Sequence, residues 1–283
     1  MKARYILLLL PVMTFTALLP SENCSAENGN NYRSNENGYT LEIPNGWEQI
    51  PDKTIREYIR LLASEEGQST IFFETAFQRK AKEGLWFQSP YAIVQILKYS
   101  NFFPNWQPKE NEFEYLVKKM SGLNTVKIVE RIFSPVARDL VIASTIGEVY
   151  FDRNHKLYTL SLEIEKPNVE NMKGQIVGHF GRYALIQVMY YDLESNWSQS
   201  EADRNLILGS FYFDPASKYE PIDSSLGTSK RADKSAFKRL LEAFVGGAGA
   251  SLIIAFVIIG GLFLKGLLFS KGKEDSSSDS EQE

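Results

Sequence analysis

Apolar and polar residues alternate through Gly38-Tyr39-Thr40-Leu41-Glu42-Ile43 and stop at Pro44-Asn45-Gly46, the pattern of a half-buried strand closed by a turn. Trp47 and Ile50 follow as inward-facing residues. From Pro51-Asp52 the period becomes helical, with Ile55, Tyr58, Ile59 and Leu62 on one face and Gly67 as the stop. Thr70 to Gln78 and Tyr91 to Lys98 predict strands, joined by a loop that holds Trp86 and Phe87. Pro108 to Met120 predicts a second helix with Phe113, Leu116 and Val117 on one side. Further strands are expected at Thr125 to Phe133, Ser144 to Phe151, Lys156 to Glu165 and Gly174 to Tyr190, the last broken at Gly181. Arg153-Asn154-His155 marks a tight hairpin. Ser200 to Phe211 predicts a closing helix with Leu206, Ile207 and Phe211 inward. Runs of adjacent strands imply antiparallel pairing, and the helices must cover the sheet. The expected class is α+β: an antiparallel β-sheet sandwiched by helices over residues 38–214, plus one C-terminal transmembrane helix.

The two ends follow a different logic. Residues 1–26 read as a signal peptide, with Lys2 and Arg4 before an apolar stretch and small residues at Cys24 and Ala26 for cleavage. Cys24 either leaves with that leader or carries a lipid, although Ser21-Glu22-Asn23 before it lack the apolar-then-small pattern of lipid attachment. An uncleaved N-terminal anchor is the other alternative. Residues 27–37 are expected to be a flexible lead-in. Ala243 to Leu264 carries no charge, which gives about 33 Å of helix for a hydrocarbon core of about 30 Å. The membrane segment is placed at 243–269, after a basic juxtamembrane linker at 215–242 and before an acidic, Ser-rich disordered tail at 270–283. Gly247, Ser251 and Ala255 put small residues four apart, a stripe on which two spanning helices can pair.

These ends imply a single-pass protein with its folded domain outside the cytoplasm and its tail inside. The basic flank at Lys230, Arg231, Lys234, Lys238 and Arg239 lies on the outer side in that orientation, against the positive-inside rule. With Phe237, Leu240, Leu241 and Phe244 it forms an amphipathic stretch suited to membrane lipid. The sole cysteine excludes an intramolecular disulfide, which favours a bacterial inner membrane over an animal secretory route. A net charge of −4 argues against a nucleic-acid partner.

The opening Gly38-Tyr39, Leu41, Ile43-Pro44 and Gly46-Trp47, together with the closing Ile207-Leu208-Gly209-Ser210-Phe211, resemble the PsbP-like fold group over about Gly38 to Asp214. That resemblance implies an antiparallel sheet between helices. It also implies a non-enzymatic binding or accessory role in the cell envelope, with no catalytic residue to carry over.

Candidate chemistry is sparse. Of the two histidines, His155 falls in the hairpin turn, and His179 lies between glycines in Val177-Gly178-His179-Phe180-Gly181. A general base at His179, serving an envelope hydrolase, competes with a plain strand-end histidine. No metal-ligand spacing, phosphate loop or dinucleotide fingerprint occurs, and no cofactor is implied. Aromatics concentrate instead near prolines, at Trp86, Phe87 and Tyr91 and at Phe103 and Trp106. Rigid aromatic area in loops suits a partner protein or an apolar ligand. Two functions are therefore expected as alternatives to an enzyme: an envelope binding protein acting through these aromatics, and an assembly or scaffolding subunit acting through its spanning helix, by self-association or with another membrane protein.

Overall fold

The structure is a computed structural model that describes residues 31–64, 72–81, 85–101, 110–120, 143–165 and 170–220. In chain order its elements are β1 (Asn31–Ser34), β2 (Tyr39–Glu42), β3 (Trp47–Gln49), α1 (Asp52–Leu62), β4 (Phe73–Arg79), β5 (Tyr91–Lys98), α2 (Glu110–Met120), β6 (Ala143–Asp152), β7 (Leu157–Glu165), β8 (Met172–Phe180), β9 (Ala184–Leu193), α3 (Glu201–Gly209) and β10 (Tyr212–Phe213). Seven strands form one sheet in the order β3-β4-β5-β9-β8-β7-β6, with every neighbour antiparallel. A second, three-stranded sheet has the order β1-β2-β10.

The centre of the large sheet explains its own sequence. β5 and β9 pair along their full length, from Tyr91 opposite Tyr191 to Lys98 opposite Ala184. Both are nearly continuous apolar runs because both of their faces are covered. Alternation sends Tyr91, Ile93, Gln95 and Leu97 to one face and Ala92, Val94 and Ile96 to the other. On the second face these residues join Tyr39, Leu41, Ile43 and Trp47 from the opening of the chain, and Ile207 and Leu208 from α3, in one buried cluster. On the first face the ring of Phe113 in α2 stacks on Phe180 at 4.2 Å between centroids. Tyr58 of α1 meets Phe87, which in turn sits edge-on to Tyr91.

Turn chemistry places the outer strands. Asp152 accepts hydrogen bonds from the backbone N–H groups of Asn154 and His155, at 2.8 and 3.1 Å, and Lys156 takes a left-handed φ of 54° to close the β6–β7 hairpin. The bond from the His155 ring is the largest of the effects that hold the Asp152 carboxyl below its ordinary range. The expected break at Gly181 falls between β8 and β9.

Several expectations need correction. The lead-in at 27–37 contains a strand, β1, whose Tyr32 and Ser34 are buried by pairing with β2. The layer opposite α1 and α2 is a helix together with a second sheet, so helices alone do not sandwich the large sheet. In α3 the buried face is Arg204, Ile207 and Leu208, while Leu206 is exposed. The chain at 215–220, expected as linker, packs on the domain: Lys218 bridges to Gly181, and Tyr219 meets Phe113 edge-on. The expected strand at 125–133 lies outside the described residues.

Candidate functional site

The loop from Leu85 to Pro90 is built from the sheet outward. Gln78 of β4 is fully buried, and its carboxamide donates to the carbonyl of Leu85 at 2.9 Å and accepts from the N–H of Gln88 at 3.2 Å. Ser89 donates to the buried carboxylate of Asp192 at 2.5 Å and accepts from the N–H of Leu193 at 3.0 Å. Between these anchors Phe87 adopts a φ of 58°, a strained conformation for a bulky residue that persists only when its surroundings over-determine it. Its ring is buried between Tyr58 and Tyr91. Trp86 stays half-buried at the surface. The structure therefore separates the expected aromatic group: Trp86 is half-buried at the surface, whereas Phe87 and Tyr91 are buried. Phe103 and Trp106 lie outside the described residues, as do Gly247, Ser251 and Ala255.

His155 is exposed in its hairpin, as the sequence indicates. His179 is buried in β8 and lies flat on Phe211, with centroids 4.0 Å apart and planes at 17°. Burial pushes its pKa down to about 3, so the ring is neutral at physiological pH. Its Nε2 has no hydrogen-bond partner, and neither cavity described below reaches it. A general base needs access to substrate; of the two readings, the buried position near the end of β8 matches the plain strand-end histidine.

The opening and closing stretches that carry the PsbP-like resemblance meet in space. The indole N–H of Trp47 donates to Asp203 of α3 at 2.9 Å, and Arg79 pairs with the same carboxylate at 2.6 Å. The N–H of Glu42 donates to Ser210 at 2.9 Å, and β10 pairs with β2. A second junction forms where the register of β4 slips between Phe73 and Thr75. That bulge turns Glu74 toward the small sheet, where its carboxylate accepts from Ser34, from Asn37 at 2.9 Å and from Tyr39 at 2.5 Å. Burial first, then the charge of Glu74, raises the Tyr39 phenol well above its ordinary pKa.

Beside this junction, α1 and the edges of β4 and β5 enclose an open cavity of about 640 Å³. Ile59, Phe73 and Ile96 supply its apolar surface, Arg56, Arg60 and Lys98 its positive charge and Glu74 one carboxylate. A smaller cavity of about 250 Å³ adjoins it at Lys98, Tyr183 and Ser217. Of these residues only Ile59 stands out in the sequence pattern, on the apolar face of α1. In the sequence α1 is legible only as an amphipathic helix, and the register shift between Phe73 and Thr75 beside the cavity leaves no mark in the residue pattern. Among the described residues no group of three acidic, histidine or cysteine side chains could hold a metal ion, and no helix is long and apolar enough to cross a membrane.

No protein-family model and no curated protein matches the sequence. Among solved structures the chain is similar to the cyanobacterial PsbP (CyanoP) of Synechocystis sp. PCC 6803, with 14% identity, 69% of this chain and 99% of that chain covered, and a TM-score of 0.40. It is also similar to LpqN, involved in cell envelope biogenesis of Mycobacterium tuberculosis, with 12% identity, 67% and 87% covered, and a TM-score of 0.30.

Proposed function

We propose that this chain is a membrane-anchored, extracytoplasmic binding or accessory protein of the cell envelope, without a catalytic site, that recruits another envelope protein through the face around Trp86. The observation that carries the reading is the anchored loop. Gln78, Asp192 and the buried ring of Phe87 fix Leu85–Pro90 in one conformation and leave Trp86 half-buried at its outer side. A pre-fixed aromatic contact loses little entropy on binding. The anchoring part of the proposal rests on the uncharged run at 243–264 and the signal-like residues 1–26. A second reading, assembly through the spanning helix, is favoured by the small residues Gly247, Ser251 and Ala255 at helical spacing.

The test is crosslinking and pull-down of the full-length chain from its native membrane, beside Trp86→Ala and beside a chain lacking residues 243–283. A partner retained by the truncated chain and lost by Trp86→Ala supports recruitment through the loop. A partner lost only on truncation supports the spanning helix. Equal recovery by all three chains overturns both readings.

A further inference from the structure

α1 pairs its other cation conventionally, Lys53 with Glu57 one turn on at 3.9 Å. Arg56 and Arg60 also sit one turn apart, so two like charges share one helix face, an arrangement that opposes the helix. Neither guanidinium has an ion-pair partner among the described residues, and both are exposed at the cavity they line. Glu74 also lines the cavity, but its carboxylate is occupied by Ser34, Asn37 and Tyr39 and makes no ion pair with either arginine. Lys98 is engaged by Glu36 at 2.5 Å. Behind the arginines lie Ile59 and Phe73, half-buried, and Ile96, buried. The volume of about 640 Å³ falls within the range of small-molecule sites.

We propose that this cavity binds a small amphiphilic anion, its phosphate or carboxylate bridging Arg56 and Arg60 and its apolar body lying on Ile59, Phe73 and Ile96. Paired guanidinium groups match an oxyanion with several parallel N–H donors, and an anion between them removes their mutual repulsion. The apolar surface selects a ligand that carries more than a bare anion. This inference is independent of partner recruitment: chains with and without a functional Trp86 face bind the anion alike.

The same chemistry is offered by a free organic phosphate and by an anionic lipid head group. Full-length protein in phosphatidylcholine nanodiscs is titrated calorimetrically with 1-naphthyl phosphate, inorganic phosphate and 1-naphthol. Saturable binding of 1-naphthyl phosphate is expected, with both fragments weaker by about tenfold or more. Arg56→Gln/Arg60→Gln, at two exposed positions, is expected to weaken it by about tenfold or more at an unchanged thermal transition. Competition by nanodiscs enriched in phosphatidic acid assigns the site to lipid, and undiminished binding assigns it to a soluble anion. No binding of 1-naphthyl phosphate, equal binding by the glutamine variant, or equal binding of either fragment overturns the proposal.

Discussion

The imidazole of His179 lies flat on the ring of Phe211 at 4.0 Å, and this contact ties β8 to the chain just after α3. Burial, rather than the stack itself, keeps the ring neutral. In the unfolded chain the group titrates near its ordinary value of 6.5, whereas burial holds it at about 3 in the fold. Below pH 6.5 the unfolded state therefore binds a proton that the folded state refuses, and stability falls as pH drops toward about 3. His179→Phe keeps the stack and removes both the proton and the unpaired Nε2. Urea unfolding at pH 7.5 and pH 5 checks it: the variant is expected to gain on the wild type by about 2 kcal/mol between the two, the order set by 1.5 units below the ordinary pKa. Parallel pH dependences of the two proteins would show that His179 is accessible to protons.

Gly178 and Tyr158 face each other across β7 and β8, and the glycine exists for the ring. A Cβ at Gly178 would lie 1.9 Å from the tyrosine ring, whose hydroxyl accepts a hydrogen bond from the buried Gln187. Gly178→Ala is expected to cost about 1–3 kcal/mol in urea unfolding, the range for overpacking a filled interior. In a Tyr158→Leu background the same change should cost much less. Additive costs would mean that the ring does not occupy the glycine's space.

Elements with strong periodicity are legible in the sequence. The apolar run Tyr91 to Lys98, the hairpin at Arg153-Asn154-His155 and the Phe113, Leu116, Val117 face of α2 each appear as the pattern predicts. What escapes the pattern is set by distant residues. Asn31–Ser34 has one large apolar residue, Tyr32, too few to mark a strand, and its pairing with β2 defines it. Leu206 and Leu208 fit a helical face equally well on paper. The cation–π contact of Arg204 over Trp197, at 4.2 Å, helps to rotate α3 so that Leu208 points in. The candidate loop was half legible. Clustered aromatics marked it, but only the buried Gln78 and Asp192, far apart in sequence, decide that Phe87 turns inward and Trp86 stays out.

That division predicts opposite outcomes for neighbouring substitutions. Phe87→Ala empties a buried site between Tyr58 and Tyr91 and is expected to cost about 3–5 kcal/mol in chemical unfolding. Trp86→Ala, at a half-buried position, is expected to cost about 1 kcal/mol or less while reducing partner capture. Comparable destabilisation by both would place Trp86 in the core and remove it as a contact residue.

The bulged Glu74 is the polar link between the two sheets, and its worth can be separated from that of its partners. Tyr39 is fully buried and donates to this carboxylate, so removing the acceptor takes the charged partner from a buried hydroxyl and leaves it Tyr32. Losing a hydrogen bond to a charged group costs about 1.5–3 kcal/mol, whereas deleting both groups removes the mismatch. Glu74→Ala is therefore expected to lose more stability than Tyr39→Phe, because it also releases Ser34 and Asn37. The double variant should lose less than the two single losses added together, with a coupling of about 1–2 kcal/mol in a double-mutant cycle. A coupling near zero would mean that Tyr39 and Glu74 find water in place of each other, and the junction would then depend on the stacking of Tyr39 on Phe211.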